Sequence, residues 1–273
     1  MTDELTAPPG LVHLAEGREA EVFLRDDGSV VKIMRSAAQA PRVQREAAAL
    51  QALAGKEHLA PAFREVTNVA GRPALVSERV TGADFLAVLS RKPWLVLGVA
   101  GSLGRAHAAM HEHRAPVSLP ELNDELARRI ESASALPPNL ASEALIRLRT
   151  LPSGDRLCHG DYHPANILGT LKAPVIIDWG DASRGAPVAD VARTLLLLRA
   201  GELPPDTPVA MRALTAVGRG LLTRRYLAVY RRSAGHDLAR LDDWMFVRVA
   251  ARFNEEIEVE YPRLTRLLEE ASQ

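Results

Sequence analysis

The stretch CHGDYHPANILGTLKAPVIIDWG, residues 158–180, sets two carboxylates and one carboxamide around short apolar runs. Pro164 prevents a regular helix in its first half. The apolar runs of its second half flank a Gly/Lys/Pro connection, which predicts a β-hairpin with Asn166 at its entry and Asp178 at its exit. Because a hairpin brings its two ends side by side, we expect Asp161, Asn166 and Asp178 to converge.

These three side chains offer hard oxygen ligands. Such ligands suit Mg²⁺, which typically binds through one or two protein oxygens while phosphates and waters complete its octahedron. A carboxylate that does not bind the metal can accept a proton from a hydroxyl. The pattern therefore favours a magnesium-dependent reaction at a hydroxyl group.

Lysine is scarce in this chain, since only four of its 34 basic residues are lysines. Lys32 lies in the predicted strand VVKIM, where alternation can point it into a cleft as a fixed positive charge on phosphate oxygens. Glu46, on the helix predicted next, can pair with it. Taken alone, Lys32 is equally well interpreted as a solvated lysine at a strand edge, and the downstream motif favours the phosphate contact.

The first 80 residues predict a small antiparallel sheet with one helix. AEVFLRDDGSVVKIMR indicates a hairpin that turns at Asp27-Gly28. PRVQREAAALQALAG indicates a helix that opens at Pro41 and closes at Gly55. PAFREVTNVAGRPALVSERV indicates two more strands joined through residues 68–71.

The rest of the chain predicts mainly helices separated by Pro- and Gly-rich breaks. The segments are 94–111, 122–133, 142–151, 188–200, 211–232 and 241–260. We therefore expect an α+β fold with two lobes, residues 1–80 and 81–273, and a boundary near residues 77–82.

Composition narrows the class of protein. The chain has 273 residues, 47% of them hydrophobic, and its formal net charge is +0, so nothing indicates a nucleic-acid partner. The single cysteine, Cys158, cannot form an internal disulfide, and we expect it to fill space in a reducing compartment. The acidic opening MTDELTAPPG does not match a secretory signal, and no apolar run approaches the length of a membrane span. We expect a cytoplasmic protein.

These pieces, in this order, resemble the aminoglycoside phosphotransferase and choline kinase family of the protein-kinase-like superfamily over nearly the whole chain. HGDYHPANIL is similar to the catalytic loop of that family, and IIDWGDA is similar to its metal-binding segment. The resemblance implies that Asp161 is the catalytic base and that Asn166 and Asp178 hold Mg²⁺. It also implies that Lys32, with Glu46 as its partner, contacts the α and β phosphates of ATP or another nucleoside triphosphate.

Three further segments carry the resemblance. LVSERVTG is similar to the hinge between the lobes, so the backbone from Ser77 through Glu78 to Val80 is expected to hydrogen-bond the adenine. EGREAEV supplies only Gly17 where a protein kinase has three glycines over the phosphates. Asp190 in PVADVA matches a buried aspartate that supports the catalytic loop. The implied reaction is γ-phosphoryl transfer to a hydroxyl of a small aminoglycoside-, amino-alcohol- or sugar-like acceptor.

Two other classes of protein stay open from the sequence. One is a nucleotide-binding pseudokinase, against which the intact Asp161 and Lys32 argue. The other is a metal-dependent hydrolase that uses His159, Asp161 and His163, because His-x-Asp-x-His at strand spacing places all three on one face.

The remaining polar groups have local interpretations. Three histidines on or just beyond a predicted helix are interpreted as packing or surface groups and not as a metal site: His107, His111 and His113. The segment NEEIEVE is interpreted as a solvated helix face on which Arg252 pairs with Glu256. Resemblance also suggests an acidic pocket for a cationic acceptor, built from Glu255, Glu256, Glu258 and Glu260. Neither the acceptor's identity nor the oligomeric state is decided by the sequence.

Overall fold

The computed structural model describes residues 10–56, 58–199 and 209–272, and it begins with a five-stranded antiparallel sheet in the order β1-β2-β3-β5-β4. The strands are β1 (Val12–Glu16), β2 (Ala20–Leu24), β3 (Val30–Met34), β4 (Phe63–Val69) and β5 (Arg72–Ser77). The β2–β3 turn contains Gly28, whose φ of 77° favours glycine. Helix α1 (Ala40–Ala52) packs on β4 and β5. The predicted hairpins and helix of this region are confirmed.

The register of β2 and β3 separates two faces of the sheet. Val22 pairs with Lys32 and Ala20 pairs with Met34, so these four side chains share one face. The opposite face carries a small apolar cluster that includes Val31 and Ile33. Lys32 therefore lies on the face turned away from that cluster.

The second part of the chain is mainly helical. Its helices are α2 (Phe85–Arg91), α3 (Val96–His111), α4 (Leu122–Glu131), α5 (Pro138–Thr150), α6 (Pro187–Arg199), α7 (Val209–Ser233), α8 (Leu241–Arg252) and α9 (Tyr261–Ala271). Two short sheets are inserted, β6 (Arg156–Cys158) with β9 (Ser183–Gly185), and β7 (Ile167–Gly169) with β8 (Pro174–Ile176). The β7–β8 pair is the predicted hairpin of the opening stretch. The two-lobed α+β fold is thus confirmed.

Two apolar cores stabilise the fold, and one of them spans both lobes. The core that spans both lobes surrounds α3 and α7, includes Val43 and Leu50 of α1, and contains the fully buried Tyr162 and Trp179 of the opening stretch. The other joins α4, α5, α8 and α9 and includes Cys158. Across the described ranges, no helix combines the length and the apolar character that crossing a bilayer requires.

One predicted helix is wrong in extent. The segment 241–260 does not form a single helix, because α8 ends at Arg252 and two short 3-10 turns follow. Glu256 adopts a left-handed φ of 55°, which no α-helix can contain, and Pro262 opens α9. The sequence also left β1, α2 and the β6–β9 pair unpredicted. Residues 1–9, which include most of the acidic N-terminal segment, lie outside the described residues, as does Ala200.

Candidate active site

Lys32 lies at the centre of two ion pairs. Its Nζ donates to Glu46 Oε2 at 2.8 Å and to Asp178 Oδ1 at 2.7 Å. Burial alone would lower the pKa of Lys32, but the two carboxylates outweigh it and hold that pKa above its usual value. Lys32 therefore stays cationic, as an electrostatic contact with phosphate requires. Its expected pairing with Glu46 is present.

Asp178 is held in an unusual backbone conformation just after β8. Its φ of 63° lies in the left-handed region, which costs a residue other than glycine about 1 kcal/mol or more. Burial would raise the pKa of its carboxyl group, but the positive charge of Lys32 lowers it. The side chain is still 42% exposed, and no donor in the described chain reaches its Oδ2. An ionised oxygen atom is thus available at this position.

The loop before β7 joins Asp161 to Asn166. Asn166 Nδ2 donates to the backbone oxygen of Asp161 at 2.9 Å and to Asp161 Oδ2 at 3.1 Å. The backbone carbonyl oxygen of Asn166 accepts from the backbone N–H of Ile177 at 3.0 Å, and Ile177 directly precedes Asp178. The predicted convergence of Asp161, Asn166 and Asp178 is therefore observed.

Two cationic or donor groups set the ionisation of Asp161. His163 Nδ1 accepts from the Ala165 N–H, so its Nε2 carries the proton and donates to Asp161 Oδ2 at 3.3 Å. Arg193 Nη2 lies 3.7 Å from Asp161 Oδ1. Burial would raise the pKa of Asp161, but the His163 hydrogen bond and the charge of Arg193 hold it well below its usual value. Asp161 is thus ionised and can accept a hydrogen bond from a hydroxyl.

Asp190 supports the catalytic loop from α6. Its Oδ2 accepts from the backbone N–H of His159 at 2.7 Å, and its Oδ1 accepts from that of Gly160 at 2.9 Å. His107 Nε2 at 3.1 Å and His111 Nε2 at 3.3 Å also face Oδ2. Asp190 therefore fixes the two residues that directly precede Asp161.

His107 and His111 are fully buried, so of the two interpretations, packing and surface, the packing one applies to both residues. Their Nδ1 atoms accept from the hydroxyl groups of Tyr226 at 2.6 Å and Tyr230 at 2.7 Å, which places the ring protons on Nε2, toward Asp190. Burial, with the charge of His111, lowers the pKa of His107 to about 3. The ligand atoms of the two histidines and Asp190 lie within 4.8 Å of one another. Because each already has a hydrogen-bond partner, the cluster is a satisfied polar network.

His159 does not suit a hydrolytic metal site. Its Nδ1 accepts from the Asp161 N–H at 3.2 Å, and its Nε2 faces the Ile177 carbonyl oxygen at 3.0 Å. Its ring lies 4.7 Å from that of Trp179. With both ring nitrogens engaged, His159 orients the loop, and the geometry argues against a metal site with Asp161 and His163.

A cavity of about 670 Å³ lies between the sheet and the helical lobe. Of the residues expected at the site, Gly17, Lys32, Asp161 and Asp178 line it. Glu46 and Asn166 are buried and hold residues of the lining.

The expected hinge residues do not line this cavity: Ser77, Glu78 and Val80. The N–H of Glu78 donates to the Ala62 carbonyl oxygen at 2.8 Å, so this amide is already engaged. A contact of adenine with the hinge therefore has to use other backbone groups of the segment.

Sequence reasoning missed the arginines of the site and Asp181, the second aspartate of the segment IIDWGDA. Asp181 Oδ1 and Oδ2 accept from Arg42 of α1 at 3.0 Å each, and Oδ1 also accepts from Arg129 of α4 at 3.2 Å. Arg193 Nε donates to the Gly160 carbonyl oxygen at 3.1 Å. The second aspartate of IIDWGDA could have indicated Asp181. The 30 arginines are spread along the chain, so their positions in the sequence do not indicate which of them reach the site.

The C-terminal glutamates differ from the expected acidic pocket. Arg193 Nη2 pairs with Glu255 Oε1 at 2.7 Å, and Arg252 also pairs with Glu255. Arg252 pairs with Glu260 through two hydrogen bonds of 2.8 and 3.0 Å, so its predicted pairing with Glu256 is wrong. Glu256 lines the cavity, is exposed, and has no partner in the described part of the chain. Glu255 and Glu260 are thus paired with arginines, and no described arginine pairs with Glu256.

The residues expected to hold Mg²⁺ fit that ion. Asn166 Oδ1 and Asp178 Oδ2 are a carboxamide and a carboxylate oxygen, the ligand types that a hard cation takes. Within the described ranges neither atom accepts a hydrogen bond from the protein. The donor set therefore suits magnesium.

Comparison with solved structures agrees with this fold. The aminoglycoside-3'-phosphotransferase of type VIII is 21% identical with a TM-score of 0.63, covering 90% of this chain and 94% of that chain. The GDP and kanamycin complex of APH(2")-IIia is 20% identical with a TM-score of 0.60, covering 97% and 91%. The apoenzyme of macrolide 2'-phosphotransferase MphH from Brachybacterium faecium is 18% identical with a TM-score of 0.53, covering 96% and 89%. A search of curated proteins finds no match.

The two lobes, the cationic Lys32 and the loop of residues 159–166 match the class of kinase-like phosphotransferases. The model of the phosphotransferase enzyme family, APH, matches residues 10–236, and the chain belongs to that family. The prediction of a small-molecule kinase is confirmed at this level.

Proposed function

We propose that the protein transfers the γ-phosphoryl group of ATP to a hydroxyl group of a small molecule, with Asp161 as the base. The observation that carries this proposal is the meeting of ionised Asp161, cationic Lys32 and ionised Asp178 on one cavity. Phosphoryl transfer needs little covalent chemistry from a protein, so positioning and charge account for most of the catalysis.

Each residue has a separate task. Lys32, fixed by Glu46, contacts the α and β phosphates. Asn166 and Asp178 hold Mg²⁺, which neutralises charge on the phosphates. Asp161 orients the acceptor hydroxyl and takes its proton as the new O–P bond forms, while the bond between the γ phosphorus and the β–γ bridging oxygen breaks and ADP leaves. Its lowered pKa makes it a weak base, which suits a loose transition state that needs the proton removed late.

Nucleotide recognition is assigned to the junction of the lobes. The sheet ends with β5 at Ser77 and the helical part begins with α2 at Phe85, which supports a boundary near residue 80. Related proteins have been solved as complexes with GDP or ADP. We assign adenine to the free backbone groups between Ser77 and Val80, and ATP as the donor.

Acceptor recognition centres on Glu256. Kanamycin and streptomycin are the acceptors named in complexes of related proteins, and both carry several cationic groups. Here Arg193 and Arg252 pair with Glu255, which leaves Glu256, among the described residues, as an unpaired carboxylate on the wall of the cavity that Asp161 also lines. We therefore assign an acceptor with a single amine close to its reactive hydroxyl.

A screen of acceptors tests the proposal. Purified protein with Mg²⁺ and either ATP or GTP is incubated separately with amino alcohols, amino sugars, neutral sugars, macrolides and aminoglycosides. Phosphorylated products are then detected by mass spectrometry. The expected result is one acceptor class that gains a phosphoryl group, best with ATP and a monoamine. Nucleotide binding without transfer to any acceptor would instead indicate a pseudokinase.

A further inference from the structure

The turn between β1 and β2 lines the cavity, and both backbone groups of its Gly17 are already engaged. The Gly17 N–H donates to the Ala20 carbonyl oxygen at 2.8 Å, and the Gly17 carbonyl oxygen accepts from Arg35 Nε at 3.2 Å. The Arg35 N–H donates to the Glu19 carbonyl oxygen at 2.9 Å. A phosphate beneath this turn therefore cannot use the Gly17 amide, which is the contact that a glycine-rich loop would provide.

Arg18, at the centre of this turn, is the unpaired cation of the cavity wall. The other five cationic side chains of the lining each have a carboxylate partner: Lys32, Arg42, Arg45, Arg129 and Arg193. Arg18 is exposed and has no hydrogen bond or ion pair with any described residue. Its guanidinium is thus available to a ligand.

The charge balance of the wall favours binding of phosphate by such a group. Together with six cations, the lining carries seven carboxylates: Glu19, Glu125, Asp161, Asp178, Asp181, Glu255 and Glu256. An anionic triphosphate entering this cavity therefore meets paired cations and an excess of negative charge. Arg18 offers an uncompensated charge and a planar fork that matches two phosphate oxygens.

The position of Arg18 suits the same ligand that Lys32 contacts. Lys32 pairs with Val22, and Met34 pairs with Ala20, so all four side chains lie on the face of the sheet that lines the cavity. The turn that carries Arg18 continues from Ala20 at the end of this face. A pair between Glu19 and Arg42, 2.8 Å long, ties the turn to α1. The backbone is thus held in place while the Arg18 side chain stays free.

We propose that Arg18 binds the phosphates of the nucleoside triphosphate, so that its side chain replaces the backbone contacts of a glycine-rich loop. This role rests on the proposed function, because it requires a nucleotide in the cavity. Arg18 is then a substrate-contacting residue of the phosphotransfer reaction.

Calorimetric titration of the full chain with Mg·ATP and with adenosine tests this role. Arg18→Gln is expected to weaken Mg·ATP binding roughly tenfold, as the loss of a charge-assisted contact implies, and to leave adenosine binding unchanged. Arg18→Lys should recover part of the affinity because it keeps the charge but not the fork. Arg224→Gln, at an exposed arginine of α7 that does not line the cavity, is the matched control.

Three results would overturn the role. The first is a Mg·ATP affinity of Arg18→Gln equal to that of the control. The second is a parallel fall in adenosine binding, which would indicate a general disturbance of the lobe. The third is a rise in the acceptor KM of Arg18→Gln with no change in Mg·ATP affinity, which would assign Arg18 to an anionic acceptor. Failure of the wild-type protein to bind Mg·ATP would be a different outcome, since it would overturn the proposed function as well.

Discussion

At the scale of single residues, the site holds its ionisable side chains in their charged forms. Lys32 is held cationic by two carboxylates, and Asp161 is held anionic by His163 and Arg193. The sequence identified Lys32, Asp161, Asn166 and Asp178 because their motifs are local in the chain. It could not identify Arg193, since its contact with Gly160 and Asp161 arises only when α6 packs beneath the loop.

Replacing Lys32 by arginine tests whether the compact ammonium matters. Lys32→Arg keeps the charge but places a wide planar group between Glu46 and Asp178, so the phosphates should be misplaced. We expect kcat/KM for ATP to fall by about 100-fold or more, in the range found when a positioned charge is lost. Near-normal steady-state kinetics would show that another group holds the phosphates.

At the scale of elements, ion pairs at the cavity join α1 to the helical lobe. Arg42 of α1 and Arg129 of α4 share Asp181, and Arg45 of α1 pairs with Glu125 of α4 at 3.1 Å. These pairs place the helix that carries Glu46 against the catalytic segment. They connect residues more than 50 positions apart, so no local pattern predicts them.

Asp181→Asn should loosen this connection. The change leaves Arg42 and Arg129 with one carboxylate each, Glu19 and Glu125. We expect the free energy of unfolding to fall by about 1–2 kcal/mol, measured by urea denaturation. The matched control is Glu65→Gln, which removes an exposed pair with Arg25 and should cost under about 1 kcal/mol. Equal losses in the two variants would mean that the shared aspartate has no special structural weight.

Secondary-structure elements, like single residues, were predictable where their signal is local in the chain. The β2–β3 hairpin was predictable because Asp27-Gly28 encodes its turn, and the β7–β8 hairpin because apolar runs flank its connection. The break after Arg252 was not predictable, since residues 253–260 have helix-compatible letters. There the ion pairs of Arg252 with Glu255 and Glu260 accompany a left-handed Glu256, and tertiary contacts override local preference.

At the scale of the whole molecule, one buried network ties the catalytic loop to the helical core. Asp190 joins the loop backbone to His107 and His111 of α3, which in turn reach Tyr226 and Tyr230 of α7. The arrangement makes the position of Asp161 depend on the packing of three helices. It also couples folding to protonation.

Stability should therefore fall in mild acid. His107 is neutral in the folded protein, with its pKa lowered to about 3 by burial and by His111, whereas an unfolded histidine titrates near pH 6.5. Between these values the unfolded chain binds a proton that the folded chain does not, so the free energy of unfolding rises with pH. The contribution is complete above about pH 6.5 and is lost toward pH 3, at up to about 1.4 kcal/mol per pH unit.

Urea midpoints from pH 7 to pH 4 measure this effect. His107→Gln should be less stable than the wild type at pH 7 but should lose stability less steeply as the pH falls. His13→Gln, at an exposed histidine of β1, is the control and should keep the wild-type slope. An unchanged slope in His107→Gln would show that His107 does not bind its proton on unfolding.

The roles assigned to the two carboxylates are tested most directly by the affinity of Mg·ATP, measured by calorimetry for Asp161→Asn and Asp178→Asn beside their turnover. Asp161→Asn should lose about 100-fold or more in kcat and keep near-normal Mg·ATP affinity, because it removes only the proton acceptor. Asp178→Asn should lose both, and higher Mg²⁺ should restore part of the rate. If Asp161→Asn abolishes nucleotide binding while Asp178→Asn keeps both binding and rate, the assignment of base and metal ligand is contradicted.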